Sequence, residues 1–572
     1  MEVTDYIIQY LQEKGVEYIF GFPGGSVVCL LDAIARNPYV EYIGTQHEQA
    51  AAYAAEGYAR VKNSCGVALA SNGPGAVNLI GGVASAYCDS IPVLYLTGQA
   101  NTFDLKGDKN VRQLAFQEID IISIAKPITK YCEMINDPLQ IKYYLDKAFF
   151  EMNSGRKGPA LIDLPIDVQR AEIDPESLLG YSAESDKERV PENIDVHKTI
   201  DLLLKAKRPI ILAGGGIRLA KAEDLLNSVL RQLQIPVVHS LMGKDSIVGD
   251  YEYNCGLIGI YGTRYGNLAL ANSDLIIAIG SRLDQRQTGK LVSEFARKAK
   301  LIRVDIDKNE LQNKIKADEI HYETDVGVYL NQILKYNSET LDIAEWRTDI
   351  LKYKNLFKTE AIIPTPNPNQ IVMEITRKFR KDATIISDVG QNQMWVAQSG
   401  GDDNSRRYLF AGGFGSMGCS LPMAIGAYFA DKEKQIVSFN GDGGFQMNIQ
   451  ELQTIKRYNI PIKIFILNNR CLGMIRIIQE AYFDERYIGT KIGFDDPDFI
   501  SVAGAYGIDG CVIIDAEELH KAEDFLFDNK PYICDVILDE DTDVIPKPSV
   551  GRPLEDSEPL IARSLLKEIM KE

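Results

Sequence analysis

The stretch that decides the fold is NGDGGFQMN at residues 440–448, which directly follows the apolar run KQIVSF. A second apolar run, IKIFILNN, begins at residue 462 and ends in a pair of asparagines. Strands that are apolar throughout are typical of parallel sheets covered by helices on both faces. In open sheets of this kind, ligands bind beyond the carboxyl ends of the strands. We therefore expect the chemistry of this protein where the glycine-flanked aspartate and the asparagine pair lie.

The same unit, an apolar strand followed by glycines and a helical pattern, recurs along almost the whole chain. VEYIFGFPGG begins one such unit at residue 16, RPIILAGGG another at 208 and ATIISDVGQ a third at 383. A chain of 572 residues is too long for a single core, and domains of about 150–200 residues are the usual solution. We predict the α/β class, with three consecutive doubly wound parallel-sheet domains.

Two stretches interrupt this rhythm and are typical of linkers. Residues 180–193, GYSAESDKERVPEN, are polar and charged, and residues 362–370, IIPTPNPNQ, carry three prolines. The predicted units are a first domain at 1–175, a central domain at 190–345, a third domain at 365–550 and a C-terminal tail at 551–572.

Composition and charge exclude several classes of function. The net charge of −18 argues against nucleic acid as a main partner, because phosphate binding needs clustered lysine and arginine. No apolar run approaches the roughly 18–20 residues of a membrane helix. The acidic N-terminus has the pattern of an amphipathic helix ended by Gly15, not of a signal peptide. Nine scattered cysteines favour a reducing compartment, so we expect a cytoplasmic protein.

The two strand ends also carry the residue types of a diphosphate clamp. Three glycines, Gly441, Gly443 and Gly444, permit a tight turn and a close approach of the backbone. Asp442 and Asn469 supply a carboxylate and an amide oxygen, and Mg²⁺ prefers about six oxygens, several of them from phosphates and water. The alternative is an ordinary Asp-Gly turn without a ligand.

The GDG block followed one helix later by NN resembles the pattern of the thiamine diphosphate-dependent enzymes. The resemblance implies that Asp442, Asn469 and the backbone carbonyl of Cys471 hold Mg²⁺. The stretch TQHEQAAAYAAEGYAR at 45–60 matches a second block of that family. There the resemblance implies that Glu48 hydrogen-bonds the pyrimidine ring of the cofactor, whereas by itself a glutamate at a helix start is common.

The resemblance covers nearly the whole chain and is closest to the acetolactate synthase (acetohydroxyacid synthase) catalytic subunit. The blocks that carry it include GFPGGSVVCLLDAI, SNGPGAVNLIGGVASAYCDSIPVLYLTGQ, AFQEIDI, GPALIDLPIDVQ, DVGQNQMW and GGFGSMGCSLPMAIGA. It implies a transferase that decarboxylates pyruvate and joins the two-carbon unit to a second carbonyl compound. It also implies a homodimer or homotetramer whose active sites are shared between subunits.

Site residues follow by matching position within that resemblance. For catalysis and substrate binding in the first domain they are Glu48, Gly24, Gly25, Ser26, Phe116 and Gln117. For the cofactor they are Val389, Gly390, Gln391 and Asn392 at the diphosphate, Gly415 at the aminopyrimidine, Met417 as an apolar wedge, and Ser416, Gly441, Asp442, Gly443, Gly444, Asn469 and Cys471.

The central domain resembles the flavin-binding domain of the same enzyme, and this implies FAD as a structural element. Its blocks are AGGGI, LMG, GIYGT, GSRLDQRQTG and VDID. A lone GGG would be a weak signal, since most such loops merely turn. The implied FAD residues are Gly214, Gly215, Leu241, Met242, Gly259, Gly262, Thr263, Arg282, Asp305 and Asp325.

Departures from the pattern leave the acceptor substrate open. Ile478 stands where acetolactate synthases carry a tryptophan, and Ile166 stands where they carry a lysine. Arg282 matches an arginine that meets the acceptor carboxylate, although a flavin phosphate or a surface ion pair would explain it equally well. A wider and less cationic site would suit a ketone on a nucleotide-linked sugar in place of a 2-oxo acid.

The histidines and the flavin blocks argue against other enzyme classes of this family. Decarboxylases of this family use paired histidines in the first domain, and of the five histidines only His47 lies in a motif. The flavin blocks match the synthase better than a pyruvate oxidase. An inactive scaffold is disfavoured because Glu48, Asp442 and Asn469 are all present.

Overall fold

The computed structural model describes residues 1–182, 194–336, 341–358, 367–400 and 405–570. It contains three six-stranded sheets, and every strand pair in them is parallel. Helices flank each sheet, so the predicted α/β class with three consecutive parallel-sheet units is confirmed. None of the helices formed by the described residues is long and apolar enough to cross a lipid bilayer.

The first sheet has the strand order β2-β1-β3-β4-β6-β5. Its strands are β1 (Tyr18–Gly21), β2 (Glu41–Gly44), β3 (Gly66–Ala70), β4 (Val93–Gln99), β5 (Tyr131–Met134) and β6 (Ala160–Pro165). Its helices are α1 (Val3–Glu13), α2 (Val28–Arg36), α3 (Glu48–Lys62), α4 (Pro74–Asp89), α5 (Ile121–Ala125), α6 (Ile141–Asn153) and α7 (Ile166–Gln169). Helix α1 ends just before Gly15, as the sequence predicted. Gly15 has a φ of 78°, which a residue with a side chain adopts only with strain.

The second sheet has the order β12-β11-β10-β7-β8-β9, the arrangement of a dinucleotide-binding fold. Its strands are β7 (Pro209–Ala213), β8 (Val237–His239), β9 (Asn254–Leu257), β10 (Leu275–Ile279), β11 (Lys300–Asp305) and β12 (Ile320–Glu323). Its helices are α8 (His197–Lys205), α9 (Gly216–Leu219), α10 (Glu223–Leu233), α11 (Arg264–Asn272), α12 (Gln285–Thr288), α13 (Lys308–Gln312), α14 (Val326–Lys335) and α15 (Ala344–Phe357). Helix α15 runs past residue 345 and buries Trp346 and Ile350 in the core of this sheet.

The third sheet repeats the topology of the first, in the order β14-β13-β15-β16-β18-β17. Its strands are β13 (Thr384–Ser387), β14 (Arg407–Phe410), β15 (Ile436–Gly441), β16 (Lys463–Asn468), β17 (Asp509–Ile513) and β18 (Tyr532–Ile537). The remaining helices are α16 (Pro368–Lys378), α17 (Gln391–Ser399), α18 (Ser420–Ala430), α19 (Asp442–Met447), α20 (Leu452–Tyr458), α21 (Gly473–Tyr482), α22 (Phe499–Ala505), α23 (His520–Glu523) and α24 (Arg563–Ile569).

Both stretches that interrupt the strand–helix rhythm lie largely outside the described residues. The second was predicted to extend to residue 370, and here the structure corrects the sequence reading. Helix α16 already begins at Pro368, with the side chain of Asn367 accepting a hydrogen bond from Gln370 N at 3.0 Å. Proline suits the first turn of a helix, because the N–H that it lacks would have no partner within the helix there.

The segment after β18 packs on the central domain. The guanidinium of Arg264 donates to the carbonyls of Ser557 at 3.1 Å and Pro559 at 2.7 Å. Arg297 pairs with Glu555 at 2.9 Å, and Ile569 of α24 is buried in the core of the second sheet. The C-terminal tail therefore ties the third domain to the second.

The first and third domains meet through helices α3 and α18, which pack backbone against backbone. A Cβ on Gly57 would overlap the backbone of Met423, and one on Gly426 would overlap the carbonyl of Ala54. Glycine and alanine therefore permit this close approach. The alanine-rich helix that starts at Glu48 thus packs closely against a helix of its own chain.

Candidate active site

The predicted site residues of the first and third domains lie at the topological switch point of each sheet, where successive strand connections run in opposite directions. In the first sheet this switch point falls between β1 and β3, and in the third between β13 and β15. Ser26 follows β1 and its hydroxyl accepts a hydrogen bond from Asn72 N, just after β3, at 2.9 Å. In the third sheet a Cβ on Gly441 would lie 3.3 Å from Oδ1 of Asn392. Switch points are the usual ligand crevices of open α/β sheets.

Asp442 stands at the end of β15 as a buried carboxylate with few neutralising partners. Its side chain is 3% exposed, Oδ1 accepts from Gly443 N at 2.7 Å, and Oδ2 accepts from Cys471 N at 3.2 Å. Burial raises the pKa of the Asp442 carboxyl to about 7, because desolvation disfavours the charged form. A cation beside this carboxylate would offset that cost.

Asn469 and Cys471 lie beside this carboxylate at the end of β16. The amide NH₂ of Asn469 donates to Oε1 of Gln391 at 2.9 Å, which turns its carbonyl oxygen away from Gln391. The carbonyl of Cys471 accepts one bond from Gly473 N at 2.9 Å and has a second lone pair. A carboxylate, an amide oxygen and a backbone carbonyl form the donor set that Mg²⁺ prefers.

Glycines in the third domain leave room for a ligand that comes close to the backbone. Gly390 has φ of 143°, and Gly415 has φ of 70° with no atom within 4 Å of where a Cβ would stand. A Cβ on Gly444 would overlap the carboxylate of Asp388, and one on Gly443 would lie 3.5 Å from Cε of Met417. The half-buried Met417 therefore lies beside the Asp442 turn, as an apolar wedge over the cofactor would require.

The remaining predicted cofactor residues of the third domain lie around the same crevice. Val389 and Gly390 form the turn after β13, and Gln391 and Asn392 open α17. Asn392 donates to the carbonyl of Asp388 at 2.7 Å, which fixes this turn. Ser416 lies farther toward the first domain, where its hydroxyl accepts from the hydroxyl of Tyr53 at 2.6 Å.

Glu48 begins α3, with His47 as its N-cap. Oε2 of Glu48 accepts a hydrogen bond from Nδ2 of Asn78 at 2.9 Å, and Oε1 lies 3.1 Å from where a Cβ on Gly75 would stand. The side chain is half-exposed. Glu48 is therefore held against the first turn of α4 while part of it remains open to a ligand.

The other predicted residues of the first domain gather around the same switch point. Gly24 is packed so tightly against Ser71 that a Cβ would overlap that side chain, whereas Gly25 has open space around it. Gln117 has φ of 59° and its backbone abuts Gly73. The carbonyl of Phe116 accepts from Nδ2 of Asn72 at 3.3 Å, and its ring is 84% exposed.

Glu48 and the proposed metal ligands of the third domain are not directly bonded to each other within one chain. Among the described residues, no hydrogen bond or ion pair joins Glu48 to Asp442, Asn469 or Cys471. Their connection is indirect. The carboxylate of Glu451, in the turn before α20, accepts from Gln46 N at 2.9 Å, two residues before Glu48.

The central domain contributes a cavity of about 230 Å³ at the junction of all three domains. It opens at the switch point between β7 and β10, and the predicted residues that line it are Gly215, Leu241, Met242, Arg282, Asp305 and Asp325. The first domain adds Arg156 to the lining and the third adds Arg407. Burial raises the pKa of Asp305. The lining carries both arginines and carboxylates, and a glycine-rich switch point is suited to a dinucleotide.

Four predicted residues of the central domain have structural positions outside this lining. Gly214 lies behind it, where a Cβ would overlap the carbonyl of Gly280. Gly259 and Gly262 form a turn in which Gly262 N donates to Gly259 O at 2.9 Å. Thr263 caps α11 by accepting from Gly266 N at 3.3 Å.

The residues that bear on the acceptor substrate lie on different elements. Ile478 lies on α21, the helix that follows the asparagine pair along the chain, and it is 46% exposed. Ile166 is the first residue of α7. Arg282 pairs with Asp284 at 3.0 Å and lines the central cavity, which suits a contact with a bound phosphate.

The structure also singles out three residues that the sequence argument did not name: Asn78, Asp388 and Glu451. Asp388 accepts from Gly418 N at 3.0 Å and from Cys419 N at 3.1 Å, and burial raises the pKa of its carboxyl to about 6. Asn78 and Asp388 lie inside quoted blocks of the sequence, and Glu451 lies three residues after NGDGGFQMN. Asp388 lies in the turn directly after β13, and a carboxylate at a strand end was the signal that could have identified it.

Comparison with known proteins places all three sheets in one family. Residues 1–124 match the thiamine pyrophosphate enzyme N-terminal TPP binding domain. Residues 196–333 match the thiamine pyrophosphate enzyme central domain, and residues 388–536 match the C-terminal TPP binding domain.

Several curated relatives resemble the chain over almost its full length. It is 38% identical to the probable acetolactate synthase large subunit of Methanocaldococcus jannaschii, with 94% of this chain and 92% of the relative covered. It is 36% identical to the acetolactate synthase large subunit of Lactococcus lactis, with 96% and 94% covered. It is 34% identical to the acetolactate synthase isozyme 2 large subunit of Escherichia coli, with 96% and 97% covered.

Proposed function

The chain belongs to the acetolactate synthase large-subunit family of thiamine pyrophosphate enzymes, and on this premise we propose that it decarboxylates pyruvate and transfers the two-carbon unit to the carbonyl of a second 2-oxo acid. The observation that carries the proposal is the buried Asp442 carboxylate beside the oxygen-bearing Asn469 and Cys471 at a sheet switch point. Acetolactate or a related acetohydroxy acid would be the product.

The third domain supplies the anchor for the cofactor in this proposal. Asp442, Asn469 and the carbonyl of Cys471 would hold Mg²⁺, which leaves about three of its roughly six positions for diphosphate oxygens and water. Met417, whose Cε lies 3.5 Å from where a Cβ on Gly443 would stand, would press on the middle of the cofactor. Thiamine diphosphate, when bound there, supplies the carbon nucleophile that attacks the ketone of pyruvate.

Glu48 is the proposed acid–base group. Its Oε2 is anchored by Asn78 at 2.9 Å, so its second oxygen is left to face a ring nitrogen of the cofactor. A carboxyl group held in this way can share and move a proton with that nitrogen. The residues around it, Ser26 and Phe116 among them, would then orient the substrate and exclude water from the reacting carbon.

The proposal places each active site between two copies of the chain. The Glu48 side exposes apolar side chains, with Phe116 84%, Leu114 54% and Val77 44% exposed. The opposite, metal-binding side exposes Phe414 at 47% and Met447 at 53%. Apolar patches at both halves of a divided site support a homodimer or homotetramer in which Glu48 of one copy serves the diphosphate site of the other.

FAD is the proposed occupant of the central cavity. The Gly215 turn would let a dinucleotide pass close to the backbone, and Arg156, Arg282 and Arg407 would offset its phosphates. Asp305 and Asp325 would accept from ribose hydroxyls at the ends of their strands. A purified protein that is colourless, and that takes up no flavin when FAD is added, would contradict this assignment.

A nucleotide-linked keto-sugar is the alternative acceptor, and Ile478 is the observation in its favour. An isoleucine in place of an indole leaves a wider opening on α21, which would accept a bulkier ketone. Plain decarboxylation is supported less, because His47 is the one histidine beside the site. Of the others, His239 is buried and His321 pairs with Glu319 at 2.7 Å.

Product analysis tests the proposal directly. The holoenzyme is incubated with labelled pyruvate alone, with pyruvate and 2-oxobutyrate, and with pyruvate and a nucleotide-linked keto-sugar. Acetolactate or acetohydroxybutyrate as the main labelled product supports the synthase. A branched sugar would support the alternative acceptor, and acetaldehyde as the main product would overturn carboligation.

We expect a cytoplasmic location for a protein with this function. All nine cysteines are free thiols, which agrees with a reducing compartment.

A further inference from the structure

Two cysteines face each other at the edge of the third sheet, away from the proposed active site. Strand β17 is the outermost strand and pairs in parallel with β18, and the register sets Cys511 opposite Cys534. Directly paired residues point to the same face of a sheet. Their Sγ atoms lie 3.9 Å apart.

The two thiols differ in accessibility in the way a reactive thiol and its resolving partner require. Cys511 is half-exposed on the edge strand, whereas Cys534 is 1% exposed beneath it. An oxidant can therefore reach Cys511 from solvent, while Cys534 is shielded and reaches only its neighbour. Redox-sensing cysteines commonly have this pairing of an accessible thiolate with a second cysteine.

The surroundings also favour the thiolate form of Cys511. A hydrogen bond with the Cys534 thiol, together with Tyr532 and the positive charge of Lys521, lowers the pKa of Cys511 to about 7. The lowered pKa increases the thiolate fraction of Cys511 near neutral pH, and the thiolate is the nucleophile in thiol oxidation. Cys88, another half-exposed cysteine, differs in this respect, since burial raises its pKa.

The two sulfur atoms of Cys511 and Cys534 can also approach closely enough to form a disulfide. A disulfide needs an S–S distance of about 2.05 Å with Cα atoms about 4.4–6.8 Å apart, and adjacent strands lie about 4.8 Å apart. Strand β17 is held by β18 on one side only, so it can shift by the small amount required. Within the described parts of the chain, Cys511 and Cys534 form the only contact between two cysteine sulfurs.

We propose that Cys511 and Cys534 form a reversible intrachain disulfide when the protein meets hydrogen peroxide. The Cys511 thiolate attacks one peroxide oxygen, the O–O bond breaks, and hydroxide leaves and is protonated to water, which produces a sulfenic acid. Cys534 then attacks that sulfur, an S–S bond forms and a second water leaves. Two thiols are oxidised and one peroxide is reduced. The disulfide protects Cys511 from further, irreversible oxidation.

Quantitative thiol mapping of the native full-length protein tests this. The reduced protein, freed of reductant, is treated with a few equivalents of hydrogen peroxide, alkylated, digested without reduction and analysed by mass spectrometry. We expect a Cys511–Cys534 linked peptide that is two hydrogens lighter than the two free peptides, and its disappearance after dithiothreitol. Cys511 should react about tenfold faster than Cys88.

Two variants separate the steps. In Cys534→Ser the linked peptide should be absent and Cys511 should be trapped by dimedone as the sulfenic acid. In Cys511→Ser, Cys534 should remain a free thiol after the same treatment. Circular dichroism and size-exclusion chromatography check that both variants fold. The proposal is overturned if wild-type Cys511 is still fully alkylated after peroxide while Cys88 has reacted, or if it accumulates as sulfinic acid without the linked peptide.

Discussion

The side chain of Glu451 accepts the backbone N–H of Gln46 through Oε1 at 2.9 Å and Oε2 at 3.2 Å. Glu451 belongs to the segment that follows the Asp442 turn, and Gln46 lies two residues before Glu48. The hydroxyl of Thr454 donates to the same carboxylate at 2.7 Å. Burial raises the pKa of the Glu451 carboxyl to about 7. One hydrogen-bonded pair therefore joins the half of the chain that carries the proposed metal ligands to the backbone that carries the proposed acid–base residue.

Glu451→Ala should lower turnover through the position of Glu48. The variant leaves Gln46 N without its acceptor, and a displacement of about 1 Å at a catalytic group can cost about 100-fold in rate. We expect kcat to fall by at least about tenfold while the Kd for thiamine diphosphate, measured by calorimetry, changes by less than about threefold. Glu433→Ala, on the exposed surface of the same domain, is the control. An unchanged kcat in Glu451→Ala would show that this link has no positioning role.

Asp442→Asn should abolish tight cofactor binding. Loss of residues that merely support metal ligands costs about 10–100-fold in affinity, so loss of the charged ligand itself should cost at least about 100-fold. Titration of the apoprotein with thiamine diphosphate at fixed Mg²⁺ measures this. Asp495→Asn, an exposed carboxylate nearby, should bind as the wild type does. Equal affinities for the two variants would rule out Asp442 as a metal ligand.

Glu48→Gln should separate binding from chemistry. Glutamine can still accept from Asn78, but it cannot take or give a proton to a ring nitrogen, and acid–base groups of this kind contribute about 10²–10⁴-fold in rate. We expect kcat to fall by that factor while calorimetry finds thiamine diphosphate bound. Glu41→Gln, on the neighbouring strand β2, is the control. Full turnover by Glu48→Gln would remove this residue from the mechanism.

Ile478→Trp should change the choice of acceptor. An indole on α21 adds contact area for the extra methylene of 2-oxobutyrate, and one methylene in an apolar pocket is worth about 10–200-fold in discrimination. We expect the ratio of acetohydroxybutyrate to acetolactate, formed from mixed substrates, to rise about tenfold. Ile514→Trp is the control, because Ile514 is 53% exposed and Ile478 46%. If both variants give the wild-type ratio, Ile478 does not touch the acceptor.

Asp163 makes the stability of the first domain depend on pH. It accepts from Thr97 at 2.7 Å and Gln99 at 3.0 Å, and burial raises its pKa to about 7. The folded state therefore binds this proton more tightly than the unfolded state, so the stability contribution of Asp163 falls as pH rises from about 4 to 7 and is constant above that.

Asp163→Asn removes this titration without removing the side chain. We expect the urea midpoint of the variant, relative to the wild type, to rise between pH 5 and pH 7 and then to level off. Asp174→Asn, an exposed carboxylate at a turn, should show no such trend. A wild-type-minus-variant difference that is independent of pH would mean that Asp163 is ionised in the folded protein throughout.

The α/β class could be predicted from local sequence, whereas most of the candidate site residues came from the resemblance to a family and stay predictions. Continuous apolar strands that end in glycine determine a parallel sheet, and the turns after β13, β15 and β16 depend on Gly390, Gly441 and the asparagine pair. Such features involve residues that are close in sequence, so they can be read one segment at a time.

Contacts between distant segments were decided only by the tertiary structure. The bond from Gln46 to Glu451, the packing of Gly57 on Met423 and the facing pair Cys511 and Cys534 each join residues that no local pattern relates. Helix and strand periodicity specify which face of an element is apolar, but not which other element covers it. That choice comes from the packing of all three sheets together, and it is what brings Glu451 to the backbone that carries Glu48.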